Sequence, residues 1–231
     1  MIPAIVLVGG LGTRLRAISG DTPKPLMPIG ERPFLEYVLD MLIDAQVSPI
    51  CLATSYRHEL FRKQFAATYR GTSLLYSVEH EPLGTGGAIL QCFNDYHLPT
   101  ALVLNGDTLF RLSISALVQS HISAKSRLTL ALRSVPDVSR YGAVTCDSDD
   151  RIVAFEEKGT VRQGFVNGGT YVVDRSIFEF VDLPAKFSFE IDFLQKYVST
   201  LRPLGVVSDG YFVDIGIPED LERARREMLR G

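Results

Sequence analysis

The first eight residues constrain this chain more than any other stretch. Ile2–Val8 is an uninterrupted apolar run that stops at Gly9-Gly10. A strand whose alternate side chains are all apolar is buried on both faces, so it belongs at the centre of a parallel sheet covered above and below. The residues downstream of the glycines fit such a sheet. Pro33 opens a stretch in which Phe34, Leu35, Val38, Leu39, Leu42 and Ala45 recur at helical spacing, with Glu36, Asp40 and Asp44 opposite them. Apolar strand-like segments near 49–54, 73–78 and 101–105 then alternate with helical patterns near 57–68 and 85–93. Such alternation predicts βαβ units and an α/β fold.

Beyond about residue 112 the pattern changes. A helix near 114–123 and a strand near 128–133 give way to short segments at 142–146, 152–156 and 165–173, separated by Asp147-Ser148-Asp149-Asp150 and Gly159. These read as hairpin strands added to the sheet. Pro218–Arg230 has Glu219 and Asp220 in its first turn and Arg223, Arg225, Arg226 and Arg230 later, the charge order a helix dipole favours. No linker or internal repeat divides the chain, so one domain over 1–231 is expected.

Lys and Arg number 24 against 27 Asp and Glu, a net charge of −3. Nothing here attracts nucleic acid in general, and any polyanionic ligand has to be held by a few aimed groups. No apolar run approaches the ~20 residues that cross a bilayer, and Met1-Ile2-Pro3-Ala4 lacks a charged leader segment, so a cytoplasmic protein is expected. Cys51, Cys92 and Cys146 form no CxxC and read as free thiols. His58, His80, His97 and His121 are dispersed without metal-ligand spacing.

Chemistry concentrates in local motifs. Gly9-Gly10-Leu11-Gly12-Thr13-Arg14-Leu15 comes directly after the buried strand. Glycines there let backbone amides approach an anion, and Arg14 can fork two of its oxygens. The segment is no P-loop, having no Gly-Lys-Ser/Thr, and Leu15 stands where a dinucleotide fingerprint needs its last Gly. Lys24 lies between Pro23 and Pro25, a bracing that predicts an extended, stiffly aimed ammonium. Asp107 comes just after the strand 101–105, at the edge where open α/β sheets bind ligands. Asp214 precedes the last helix and, read alone, is equally a helix-entry residue.

Together these motifs resemble the sugar-1-phosphate nucleotidyltransferases, whose signature is GGxGTRL followed by PKP. Further blocks fall in the family's order: Glu81–Ala88, Asn105-Gly106-Asp107, Tyr141-Gly142, Glu156-Glu157-Lys158, Asn167–Tyr171 and Asp214–Leu221. The resemblance implies a Rossmann-like three-layer α/β/α sandwich with a mostly parallel mixed sheet and an added small β-region. A nucleotide-binding half would end near 112, with a sugar-phosphate half after it. The implied reaction is attack of a sugar 1-phosphate oxygen on the α-phosphorus of a nucleoside triphosphate, expelling pyrophosphate. The phosphate monoester is already charged near neutral pH, so no general base is needed and catalysis is positioning and charge neutralisation.

By that resemblance Arg14, Lys24, Asp107, Lys158 and Asp214 carry catalysis, with Asp107 and Asp214 holding Mg²⁺. Leu7, Gly9, Gly10, Gly12, Thr13, Arg14, Lys24, Pro82, Gly84 and Thr85 surround the nucleotide. Gly142, Glu157, Lys158, Asn167 and Gly169 surround the sugar phosphate. The Glu81–Ala88 block and the chain length are most similar to bacterial D-glycero-α-D-manno-heptose 1-phosphate guanylyltransferases. That implies GTP and the heptose 1-phosphate as partners, a product used in surface polysaccharide synthesis, and a homodimer. The alternatives are an N-acetylmuramate 1-phosphate uridylyltransferase, a mannose 1-phosphate guanylyltransferase, or a catalytically silent regulatory relative. A glycosyltransferase would need a DxD-type metal motif, which Asn105-Gly106-Asp107 is not. The chain departs from the family at Arg16–Ser19, Gly159 and Ile217 without losing a charged group, and with 231 residues it is expected to lack the appended β-helix or acyltransferase domain of some relatives.

Overall fold

Ala4–Leu7 forms strand β1, paired in parallel with a strand on each side. Its side chains alternate between two cores: Ala4 and Val6 point into one, Ile5 into the other, all fully buried. The computed structural model describes residues 1–10, 20–55, 57–135, 142–156 and 164–229. Arg14, Gly12, Thr13, Glu157 and Lys158, and the departures at 16–19 and 159, lie outside the described residues.

In chain order, a short 3-10 turn (Lys24–Leu26) leads into a two-stranded ribbon of β2 (Pro28–Ile29) and β3 (Arg32–Pro33), and then into α1 (Phe34–Asp44). Next come β4 (Ile50–Thr54), α2 (His58–Phe65), β5 (Thr68–Tyr69), β6 (Thr72–Val78), α3 (Gly84–Asp95) and β7 (Thr100–Asn105). The second half begins with β8 (Thr108–Phe110), α4 (Ile114–Ser123), β9 (Leu128–Val135), β10 (Val144–Cys146), β11 (Ile152–Phe155) and the long β12 (Gly164–Asp174). It closes with a π-helical turn (Phe189–Gln195), α5 (Lys196–Leu201), β13 (Leu204–Ser208), β14 (Phe212–Asp214) and α6 (Pro218–Met228).

Strands β7, β1, β4 and β6 lie side by side and run parallel. β12 joins antiparallel to β7, with β9 on its other side and the β10–β11 hairpin beyond Phe165. The mostly parallel mixed sheet, its flanking helices and the added β-region are those expected. The helices α1, α4 and α6 contribute to the core on the side of Ala4 and Val6. Helix α3 and the π-helical turn cover the side of Ile5. There Phe178, Phe187, Phe189 and Phe193 pack ring on ring, the closest centroids 5.0 Å apart between Phe178 and Phe193. The π-helical turn, β13 and β14 were not anticipated from periodicity. β13 fills the edge beside β9 in parallel register, and β14 pairs with β8 in a separate ribbon.

Candidate active site

Because β1, β4, β6 and β7 are parallel and in register, their carboxyl ends coincide: Leu7 faces Asn105 and Ala53, and Thr54 faces Val78. The residues just past those ends line a cleft of about 870 Å³. Leu7, Gly9, Gly10, Lys24, Pro82, Gly84, Thr85 and Asp107, which the sequence motifs single out, all border it. Ser55 donates its hydroxyl to the Gly9 carbonyl and fixes the start of the glycine segment. Gly84 opens α3 at φ +72°, and a Cβ there would lie 2.5 Å from the Phe187 carbonyl oxygen. Only glycine meets both demands.

Lys24 differs from its expectation in one respect. It opens a 3-10 turn instead of lying extended, closed by the Leu26 amide on the Pro23 carbonyl at 2.9 Å and the Met27 amide on the Lys24 carbonyl at 3.0 Å. Pro25 fits this turn because an amide at its first positions would have no partner to lose. Its ammonium is held toward Asp107: Nζ lies 3.5 Å from Asp107 Oδ2, with the Lys24 side chain 15% exposed.

Asp214 reaches the same place by another route. β14 pairs with β8 so that Asp214 sits opposite Thr108, and the Ile215 amide donates to the Asp107 carbonyl at 3.0 Å. Burial, then the charge of Asp107, push the Asp214 carboxyl up to about 6, against the Gly216 amide that donates to it at 2.7 Å and the charge of Lys24. Two carboxylates held against their own repulsion make a pair that a divalent cation would relieve. No group of three or more His, Cys, Asp or Glu placed to hold a metal ion exists among the described residues. Two carboxylates nevertheless suffice for Mg²⁺, which completes its octahedron with phosphate oxygens and water. The donor set therefore fits the ion.

Strand β12 carries a bulge. Asn167 pairs with Leu132 and Tyr171 with Leu130, so four steps along β12 span two along β9. Such a bulge re-aims side chains, and it turns Asn167-Gly168-Gly169 out of the regular pleat. Gly169, at φ +66°, brings its backbone against Asn105, whose Nδ2 would be 2.9 Å from an added Cβ. Asn105 lines the cleft, so the bulge packs directly against a cleft residue, and Asn167 itself stays partly exposed. Gly142, at φ +82°, lies against the Glu156 carbonyl.

Two cleft carboxylates were missed from sequence. Glu79 comes directly after β6, accepts the Leu83 amide at 3.3 Å, and has its carboxyl pushed above the ordinary range by burial. Its position at the end of an apolar strand was the available signal. Glu190 comes from the π-helical turn and takes the hydroxyl of Thr85 at 3.0 Å. No local pattern marks it, because its place depends on how residues 187–195 pack under α3.

Residues 3–231 match the protein family described as nucleotidyl transferase. The chain belongs to the nucleotidyl transferase family. This nucleotidyltransferase is 44% identical over 225 residues to D-glycero-alpha-D-manno-heptose 1-phosphate guanylyltransferase of Aneurinibacillus thermoaerophilus, covering 97% of each chain. It is 43% identical over 217 residues to the protein of the same name from Campylobacter jejuni, covering 94% of this chain and 96% of that one. The crystal structure of HddC from Yersinia pseudotuberculosis complexed with GMP-PN superposes with a TM-score of 0.88 at 37% identity, covering 99% of this chain and 100% of that one.

Proposed function

We propose that this nucleotidyltransferase transfers GMP from GTP to D-glycero-α-D-manno-heptose 1-phosphate, releasing pyrophosphate and forming a GDP-heptose. The carrying observation is the meeting of Lys24, Asp107 and Asp214 near the carboxyl ends of β1 and β7, beside Gly9, Gly10 and a cleft of about 870 Å³. The choice of heptose is supported by likeness along nearly the whole length to two heptose 1-phosphate guanylyltransferases.

The difficulty in this reaction is bringing two polyanions together in line. The Gly9 and Gly10 backbone and Lys24 border the cleft where the triphosphate would lie, and Lys24 offers a point charge to its oxygens. Arg14 and Lys158 are assigned the remaining phosphate contacts by their motifs. Asp107 and Asp214 would hold Mg²⁺, which when bound supplies charge neutralisation on the phosphates. The sugar phosphate, with a second pKa of about 6, needs no base to become a nucleophile. Gly142, Glu157, Asn167 and Gly169 would orient its sugar.

Support for guanine comes from Glu79. Ala53, Val78 and Ala88 give the cleft apolar surface, and Glu79 sets a carboxylate beside it. A carboxylate accepts two parallel hydrogen bonds, matching the N1–H and 2-amino donors of guanine and no edge of uracil. On this reading the reaction is cytoplasmic and feeds bacterial surface polysaccharide synthesis.

The test is pyrophosphate release with GTP, ITP, UTP, CTP, dTTP or ATP against heptose, mannose, glucose and N-acetylmuramate 1-phosphates, with and without Mg²⁺. GTP with the heptose, dependent on Mg²⁺, is expected to dominate. Preference for UTP with an N-acetyl sugar, or for mannose, would overturn the substrate assignment.

A further inference from the structure

Glu190 stands where the two halves of the site meet. Its Oε2 accepts the Thr85 hydroxyl at 3.0 Å and its Oε1 accepts the Tyr171 hydroxyl at 3.4 Å. A carboxylate offers lone pairs and no proton, so both hydroxyls must donate to it. Thr85 is free to do so because its oxygen already accepts the Phe189 amide at 2.8 Å. Tyr171 is fully buried, and burial with the charge of Glu190 holds its phenol far above the ordinary value, so it remains a neutral O–H.

The direction then propagates. With its proton committed to Glu190, the Tyr171 oxygen accepts from Asn167 Nδ2 at 2.8 Å. That fixes the amide, whose Oδ1 accepts the Gly169 amide at 3.0 Å across the bulge. Had Tyr171 donated to Asn167 instead, the amide would be reversed and the Gly169 N–H would face an NH₂ group.

We propose that Glu190 is a positioning residue that, through Tyr171, fixes which way the Asn167 amide faces and so presents an N–H donor to an oxygen of the sugar 1-phosphate. The inference rests on the sugar-binding role proposed for Asn167. It also makes Glu190 the one carboxylate, among the described residues, that ties Thr85 on the nucleotide side to the β12 bulge.

The test is steady-state kinetics with GTP and the heptose 1-phosphate for Asn167→Ala, Tyr171→Phe, Glu190→Gln and the double variant Y171F/E190Q, with the unfolding temperature of each. Tyr171→Phe is expected to raise KM for the sugar phosphate about tenfold, the scale of one lost hydrogen bond, with KM for GTP within about twofold of wild type. Glu190→Gln, left with one acceptor oxygen for two donors, is expected to raise both. The double variant should be no worse for the sugar phosphate than the worse single one. If Asn167→Ala raises that KM and neither Tyr171→Phe nor Glu190→Gln does, the relay is overturned while the sugar site stands. If Asn167→Ala leaves it unchanged, the sugar-binding role of Asn167 falls and the relay with it. Equal loss in kcat and both KM values, tracking a lowered unfolding temperature, would reduce Glu190 to a structural role and overturn the proposal.

Discussion

Lys24 shows how a single residue is specified twice, once by its neighbours in sequence and once by its neighbours in space. The prolines around it announced a constrained lysine, and the fold sets that lysine 3.5 Å from Asp107. Since its charge faces the cleft, Lys24→Ala is expected to lower pyrophosphate release by about 10²–10³-fold, as for other preorganised electrostatic groups, with the unfolding temperature nearly unchanged. Asp214 is the converse case, ambiguous in sequence and strained in structure. Its carboxyl titrates at about 6 in the fold, above the value of an unfolded aspartate, so the folded state holds an extra proton between those limits. Stability of the metal-free protein therefore falls as pH rises from about 4 to about 6, by at most roughly 3 kcal/mol. Urea unfolding in EDTA across that range should reveal the slope, and Asp214→Asn should flatten it. At pH 7.5, Mg²⁺ should raise the midpoint of the wild type and leave that of Asp214→Asn unmoved.

At the scale of elements, the regular ones were legible because their periodicities were clean. β1, α1, β4 and β7 each fall within a residue or two of where apolar spacing put them. The irregular ones were not. The bulge of β12 exists because two glycines let the backbone leave the pleat, and its register is visible only against β9. The Phe189–Gln195 turn is π-helical, held by Ser188 at its start and by contacts beneath α3. The junction between α3 and the segment before that turn is tight. The Gly86 amide donates to the Phe187 carbonyl and the Phe187 amide to the Leu83 carbonyl, at 3.0 and 2.9 Å. Gly84→Ala adds a Cβ 2.5 Å from the Phe187 carbonyl at a positive φ. It is expected to cost at least about 2 kcal/mol in chemical denaturation and to raise KM for GTP, because Thr85 moves with the backbone.

The whole molecule is a sheet clamped between two cores, and the aromatic layer beneath α3 belongs to the same side as Glu190. Phe193 is fully buried among Phe178, Phe187, Phe189 and Tyr197, so Phe193→Ala is expected to cost about 3–5 kcal/mol, read as a lowered urea midpoint. The sequence by itself determined the α/β class, the central parallel strand, the glycine and Pro-Lys-Pro motifs and the identity of the charged groups. Each of those is local: a period, a glycine cluster, a proline-braced lysine. Only the tertiary structure decided that Asp214 lies beside Asp107, since that depends on a ribbon between β8 and β14 more than a hundred residues apart. Only it brought Glu79 and Glu190 into the cleft and gave Asn167 a fixed direction. The physical reason is common to all of these. A lone carboxylate or amide has the same local pattern wherever it stands, and its chemistry is set by the partners that long-range packing brings within about 4 Å.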